Sequence, residues 1–137
     1  MTEVRIIFAL YIGVTVWIPE RALKKNNIRK KVPDAIVKIE DYTFVIELEL
    51  NRKNKRYYER YFRDLAIKHE KNEFILYLVK NQAMLEWMIK LKPWERIYFA
   101  EIYDLYGDGG GCTPFRNRDD DELVINELLE SGRGENN

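Results

Sequence analysis

The residues best suited to chemistry in this chain are acidic, and they lie together in a strand-like run. Residues 46–50, with the sequence IELEL, alternate branched or apolar side chains with two glutamates. Side chains of an extended strand alternate between its faces, so Glu47 and Glu49 point to one face at a separation of about 7 Å. Two like charges this close repel each other, most strongly where water is scarce. Such a pair is either solvated on an open face or binds a cation.

A third carboxylate is expected beside these two glutamates. A second strand-like segment, residues 33–39, precedes the acidic run, and Glu40 and Asp41 read as a tight turn between them. This pattern predicts a β-hairpin. Antiparallel pairing then places Asp34, at the start of the first strand, near the end of the second strand, where both glutamates lie. Clustered carboxylate oxygens suit Mg²⁺, Mn²⁺ or Ca²⁺, and the sequence offers nothing that suits zinc.

A cation of the chain itself lies close to this cluster. Lys53 follows Glu49 by four residues, where the strand gives way to a helix, and it can reach back to the carboxylates. A metal ion and an ammonium group together would stabilise charge on a reacting phosphodiester. The structural alternatives are that Asp34 only caps a turn and that the glutamates lie on a solvated face. Lysine or arginine pairs there would each contribute under about 1 kcal/mol.

The charge of the chain is unevenly distributed, although its net value is zero. Residues 21–31 and 52–63 are strongly basic, and the chain is acidic from Asp119 onward. Two basic clusters that flank a carboxylate cluster favour a polyanion close to a metal. The residues expected to contact nucleic acid are Lys24, Lys25, Arg29, Lys30, Lys31, Arg52, Lys55 and Arg56.

Length and pattern together predict one α/β domain. The 137 residues suffice for a single core, and strands alternate with helices after the hairpin, which predicts a mixed β-sheet flanked by helices. We expect the domain to span residues 1–131 and a disordered tail to follow over 132–137. The single cysteine suits a reducing cytoplasm, and no apolar run has the length of a membrane span, so we expect a cytoplasmic protein without membrane contact.

The remaining elements follow from hydrophobic periodicity and capping residues. An aromatic series at helical spacing, Tyr57, Tyr58, Tyr61 and Phe62, is expected to be core rather than a base-stacking surface. The predicted order is an amphipathic helix to about residue 71, a strand over 74–79, a helix capped by Asn81, a strand over 96–103, a flexible glycine-rich loop over 107–111 and a helix over 119–129.

The stretch PDAIVKIEDYTFVIELEL resembles the Pro-Asp … Glu-x-Lys pattern of the restriction-endonuclease-like, or PD-(D/E)XK, nuclease superfamily. Residues 16–79, near half of the chain, are similar to the replication-relaxation group of plasmid mobilisation accessory proteins. The sequence pattern of that group is roughly Trp-x-x-Glu-Arg, then Pro-Asp, then Glu-x-Glu-Leu-x-x-Lys, followed by a helix that contains tyrosine. The matching residues here are Trp17, Glu20, Arg21, Pro33, Asp34, Glu47, Leu48, Glu49, Leu50, Lys53, Tyr57 and Tyr58.

The resemblance implies a nuclease fold in which a helix precedes a mixed sheet and the sheet edge carries a Mg²⁺ or Mn²⁺ site. Asp34 and Glu47 would bind the metal, Glu49 would bind the metal or orient water, and Lys53 would stabilise the transition state. A glutamate of the first helix often joins the cluster in such folds, which makes Glu20 a fourth expected ligand. The superfamily pattern has a lysine two residues after the acidic residue, and this position is occupied by Glu49 here. Some restriction enzymes work with a glutamate at this position.

Three functional classes fit these residues. The first, which we favour, is a metal-dependent DNA endonuclease of a mobile element. The second is a nuclease-like protein without catalysis that binds DNA as an accessory in plasmid replication or mobilisation. The third is a structural or regulatory protein that does not contact nucleic acid. The mobilisation relatives usually carry a winged-helix DNA-binding region upstream, and we expect that module to be absent here because the nuclease-like part begins almost at the start of the sequence. DNA is an expected partner, bound either by the domain itself or through a protein that supplies a separate DNA-binding module. A homodimer is a further option, because two-strand cutting by this fold commonly needs one.

Overall fold

The structure is a computed structural model that describes residues 16–19, 33–68 and 72–135. Within these residues no helix is long and apolar enough to cross a membrane. The described elements belong to one domain with seven strands and four helices. The strands are β1 (Val16–Pro19), β2 (Ala35–Ile39), β3 (Tyr42–Glu49), β4 (Glu73–Val79), β5 (Ile97–Glu101), β6 (Phe115–Arg116) and β7 (Glu122–Leu123). The helices are α1 (Lys55–Lys68), α2 (Gln82–Lys90), α3 (Ile102–Asp108) and α4 (Ile125–Glu135).

All seven strands form one mixed sheet in chain order. Strands β1, β2 and β3 pair antiparallel, and β3, β4 and β5 pair parallel. The pairs of β5 with β6 and of β6 with β7 are again antiparallel. Parallel neighbours need a crossover connection, which α1 provides between β3 and β4 and α2 between β4 and β5. The predicted α/β domain with a mixed sheet flanked by helices is confirmed.

Helices cover both faces of the sheet, and the strand alternation assigns each side chain to a face. On one face, which we call the α1/α2 face, Val45 of β3 packs with residues of α1 and α2. On the other, the α3/α4 face, Phe44 and Ile46 pack with residues of α3 and α4. The glutamates at positions 47 and 49 therefore share the α1/α2 face with Val45, as the alternation predicts.

The predicted hairpin is confirmed, and its register is set by a two-residue turn. Glu40 adopts a left-handed conformation, with φ of 54°. The strand pairs run from Ile39 opposite Tyr42 to Ala35 opposite Ile46. Side-chain direction repeats every two residues, so a slip by one residue would move the whole core set of β2 to the other face.

Helix α1 is amphipathic, and three of the four aromatic residues predicted to be core are buried, while Tyr57 is half-buried against the same cluster. Tyr58 is fully buried, and Tyr61 and Phe62 are also buried. The Phe62 ring meets the Tyr77 ring edge-on at 5.5 Å between centroids. Edge-to-face pairs of this kind add roughly 0.5–1.5 kcal/mol beyond the area they bury, so they help to fix α1 on the sheet.

The chain departs from the expected strand over 96–103. The strand ends at Glu101, and the chain turns directly into α3, where Ile102 and Leu105 pack on the α3/α4 face three residues apart. Seven residues show too little periodicity to separate a short helix from a continued strand. The glycine-rich segment also differs from the expected flexible loop: residues 107 and 108 are helical, and residues 109–111 are buried. A side chain at Gly111 would collide with Asn126 of α4.

The end of the described chain also differs from expectation. Helix α4 starts at Ile125 rather than at residue 119, because the Asn117 side chain accepts hydrogen bonds from the backbone N–H groups of Asp119 and Asp121, both at 2.9 Å, and closes a turn. The helix then continues to Glu135 and includes residues 132–135, which were expected to form a disordered tail. Leu129 of α4 is buried against the sheet, which places this helix in the fold.

We predict that Leu78→Ala lowers the free energy of unfolding by about 2–5 kcal/mol, because a fully buried side chain of central strand β4 leaves a cavity. The matched control is Ile67→Ala on α1, at a position that is 73% exposed, which should change stability by less than about 0.5 kcal/mol. Urea denaturation of both variants measures the difference. Equal losses would contradict the assignment of β4 to the centre of the sheet.

Candidate active site

The hairpin register brings Asp34 and Glu47 into direct contact. One step beyond the pair of Ala35 and Ile46, Asp34 lies opposite Glu47 on the α1/α2 face. The Asp34 backbone N–H donates to Glu47 Oε1 at 3.0 Å, and the backbone N–H of Leu48 donates to Asp34 Oδ2 at 2.7 Å. These two hydrogen bonds tie Asp34 to β3 at the positions of Glu47 and Leu48, where β2 begins.

Glu47 is a buried acid with protein donors around it. Its exposure is 3%, and β4 places Tyr77 beside it in register. Helix α1 brings Tyr61 over the strand, and the Tyr61 hydroxyl hydrogen-bonds the Glu47 carboxylate. A buried carboxylate needs such donors or a cation, because loss of hydration strongly disfavours the charged form.

Glu49 is paired with Lys53 of the chain. The Lys53 ammonium lies 3.0 Å from each carboxylate oxygen of Glu49, which is 8% exposed. The backbone N–H of Lys53 donates to the Tyr58 hydroxyl at 2.9 Å, and its ammonium lies 5.0 Å from the centre of the Tyr57 ring. These contacts fix the connection between β3 and α1, so the lysine reaches back to the acids as its spacing predicts.

The tyrosines of this face are strongly perturbed. Burial, followed by the charge of Glu47, raises the pKa of Tyr61 and Tyr77 well above the ordinary value. Burial also raises the pKa of Tyr58 to about 12, and the charge of Glu49 adds to the rise, while the Lys53 backbone N–H opposes it. Each phenol therefore stays protonated at neutral pH and can serve as a hydrogen-bond donor to an acid.

Sequence reasoning placed these tyrosines in the core but missed their part in the site. Tyr58 and Tyr61 lie three residues apart on the inner face of α1, opposite the acids at positions 49 and 47. The available signal was the use of tyrosine rather than phenylalanine at buried helix positions that face acidic strand positions. A buried phenol usually finds a hydrogen-bond partner, whereas a phenyl ring needs none.

The structure joins Asp34 with Glu47, and it joins Glu49 with Lys53, rather than gathering one group of three acids. Within residues 16–19, 33–68 and 72–135 there is no group of three or more His, Cys, Asp or Glu side chains that could hold a metal ion. Mg²⁺ usually takes only one or two protein carboxylates, and water and substrate phosphates complete its shell. The adjacent hard-oxygen ligands Asp34 and Glu47 fit that requirement. The fourth expected ligand, Glu20, lies outside the described residues.

The predicted nucleic-acid contacts are only partly within the described residues. Arg52, Lys55 and Arg56 lie exposed at and before the start of α1. The Arg52 guanidinium lies 4.4 Å from the centre of the Trp87 ring on α2, and Lys55 pairs with Glu59 at 3.5 Å. The other predicted contacts lie outside the described residues; they are Lys24, Lys25, Arg29, Lys30 and Lys31.

We predict that Lys53→Met lowers the free energy of unfolding by about 1–3 kcal/mol, because it leaves the carboxylate of Glu49 buried without its cation. The matched control is Lys55→Met, which breaks an exposed pair of the same spacing and should cost less than about 0.5 kcal/mol. Adding Glu49→Gln to Lys53→Met should recover part of the loss. Urea denaturation measures the free energy of unfolding of each variant. Equal losses in the two single variants would show that the pair of Glu49 and Lys53 stabilises the protein no more than the exposed pair of Lys55 and Glu59.

We predict that stability declines between pH 10 and 12, in part through Tyr58, whose pKa rises from 10.0 to about 12 on folding. In this window the unfolded chain releases the phenol proton and the folded chain retains it, so the free energy of unfolding falls as pH rises. Tyr58→Phe removes this proton, and the decline should become shallower. Denaturation midpoints of both proteins between pH 10 and 12 measure how steeply stability declines with pH. An unchanged decline in the variant would contradict the raised pKa of Tyr58.

Comparisons of the chain with protein-family models, with curated proteins and with solved structures find no match. The relationship to the restriction-endonuclease-like superfamily therefore stays a prediction from the motif residues.

Proposed function

We propose that this protein is a Mg²⁺- or Mn²⁺-dependent DNA endonuclease of a mobile element, with a restriction-endonuclease-like core of the replication-relaxation group. The observation that carries the proposal is the contact of Asp34 with Glu47 on a largely buried sheet face, next to the pair of Glu49 and Lys53. Two hard-oxygen ligands, one at the start of β2 and one on β3, and an ammonium from the connection between β3 and α1 suit phosphodiester hydrolysis.

Each residue of the site has a separate role in this proposal. Asp34 and Glu47 would hold the divalent ion, and each carboxylate is anchored by a backbone N–H group of the hairpin. Glu49 positions the ammonium of Lys53 through both of its oxygens. Lys53, with a half-exposed side chain, faces the developing negative charge of the phosphate. When bound, the metal ion polarises the phosphate and lowers the pKa of a water molecule.

Glu49 acts on the lysine rather than on the metal in this arrangement. Its carboxylate already contacts the Lys53 ammonium and the Tyr58 hydroxyl. A metal ion at Glu49 would compete with the ammonium for the same carboxylate and would bring a second cation close to it. The exchange would lose a close charge pair, so we assign the metal to the other two acids.

A second candidate function is a DNA-binding accessory protein without catalysis. It is favoured by the glutamate at the usual lysine position and by the use of that glutamate in an internal ion pair. In this alternative the protein binds DNA irrespective of Mg²⁺. In both functions it acts in the cytoplasm on DNA, as a homodimer or with a protein that carries a separate DNA-binding module.

The test is nicking of supercoiled plasmid with Mn²⁺ or Mg²⁺. We expect Asp34→Asn and Glu47→Gln to abolish nicking, because each keeps an acceptor oxygen for its backbone N–H partner and loses the charge that binds metal. Lys53→Met should slow nicking on the order of a hundredfold, since it removes a group that stabilises transition-state charge. Thermal denaturation confirms that each variant is folded.

The matched control is Glu122→Gln on β7, where an exposed carboxylate lies far across the sheet from β2 and β3. It should nick at the wild-type rate. Nicking that survives both site variants would come from a contaminant and would remove the proposal. Wild-type protein that binds DNA without nicking would establish the accessory function instead.

A further inference from the structure

Helix α1 carries a stripe of arginines on the side that faces away from the sheet. Arg56, Arg60 and Arg63 are all exposed, and their spacing of four and three residues puts them within an arc of about 60°. The arc is opposite the inner side of the helix, where Tyr58 and Tyr61 face the acids. We call these three residues the arginine stripe.

The stripe is not neutralised by the acids nearest to it. No ion pair between described residues involves any of its three arginines. Glu59, on one side of the stripe, pairs with Lys55 at 3.5 Å, and Asp64 lies on the other side. Like charges at these helical spacings each cost the helix roughly 0.2–0.5 kcal/mol.

The position of the stripe relates it to the candidate active site. Its first arginine follows Lys53 by three residues, where the segment that carries the ion pair with Glu49 leads into α1. From Arg56 to Arg63 the helix rises by about 10 Å. The same length of a duplex strand carries about three phosphates. The stripe thus leads away from the site along a line that matches the spacing of a nucleic-acid backbone.

We propose that the arginine stripe binds the phosphate backbone of the DNA substrate, on one side of the bond to be cut. This inference rests on the proposed function and adds Arg60 and Arg63 to the contacts expected from sequence. Guanidinium groups bind phosphate oxygens through two parallel donors, which a lysine cannot do. The stripe has little apolar surface beside it, Ile67 excepted, and this favours a nucleic acid over a lipid surface as the polyanion.

The experiment measures the binding of the full chain to a short labelled DNA duplex by fluorescence anisotropy, without divalent metal, at several salt concentrations. The variant is Arg60→Gln/Arg63→Gln. The matched control is Lys38→Gln/Lys90→Gln, which removes the same charge from exposed positions on β2 and at the end of α2. Thermal denaturation checks folding, and plasmid nicking is measured in parallel for each protein.

The stripe variant should reduce the slope of log K against log [salt] by about 2, since each lost phosphate contact contributes about 0.9. The control should keep the wild-type slope and the wild-type rate of nicking, whereas the stripe variant should need more protein than the control to reach the same rate of nicking. Equal slopes for the two variants, together with nicking of plasmid by the wild-type protein, would overturn the proposal that the stripe binds DNA. The nuclease function would be unaffected by that result. Wild-type protein that binds no duplex at low salt would also overturn the proposal that the stripe binds DNA. The nicking assay then decides the nuclease function separately.

Discussion

The burial of carboxylates on the inner face of β3 is the constraint on which the rest of this site depends. Ionised acids away from water are costly unless donors or cations surround them, and here the donors come from three different parts of the chain. The Asp34 backbone N–H and the Tyr61 hydroxyl serve Glu47, and Lys53 serves Glu49. Removing any one of these groups would leave charge with fewer partners, so β2, β3 and α1 are tied together by the same acids.

Helix α1 carries different chemical groups on its two sides because one side faces the buried acids and the other faces solvent. Its inner side brings phenols to the acids, and their raised pKa values keep them protonated as donors. Its outer side carries the arginine stripe. A helix is about 10 Å thick, so the positive side chains lie too far from the buried acids to pair with them and remain directed to solvent.

The pair of Glu49 and Lys53 links the two functional alternatives. As a positioning device it fixes an ammonium beside the acids that would hold a metal ion, which suits catalysis. As a neutralised pair it also stabilises the protein without any metal. The two alternatives differ in whether the ammonium of Lys53 contacts the phosphate of a substrate. Such a contact is compatible with the ion pair, because the half-exposed lysine can contact solvent and Glu49 together.

The sequence by itself determined the features that depend on short-range geometry. A two-residue turn and strict alternation were enough to predict the hairpin, its register, the common face of Glu47 and Glu49 and the approach of Lys53 across four residues. Tertiary structure alone decided which acid received the lysine, which phenols became donors, and that the chain after Glu101 turned into a helix. Those outcomes depend on side chains that meet from distant parts of the chain, where packing overrides local preference. The close approach of Gly111 to the Asn126 side chain shows the same effect, because the docked helix α4 brings Asn126 to that position.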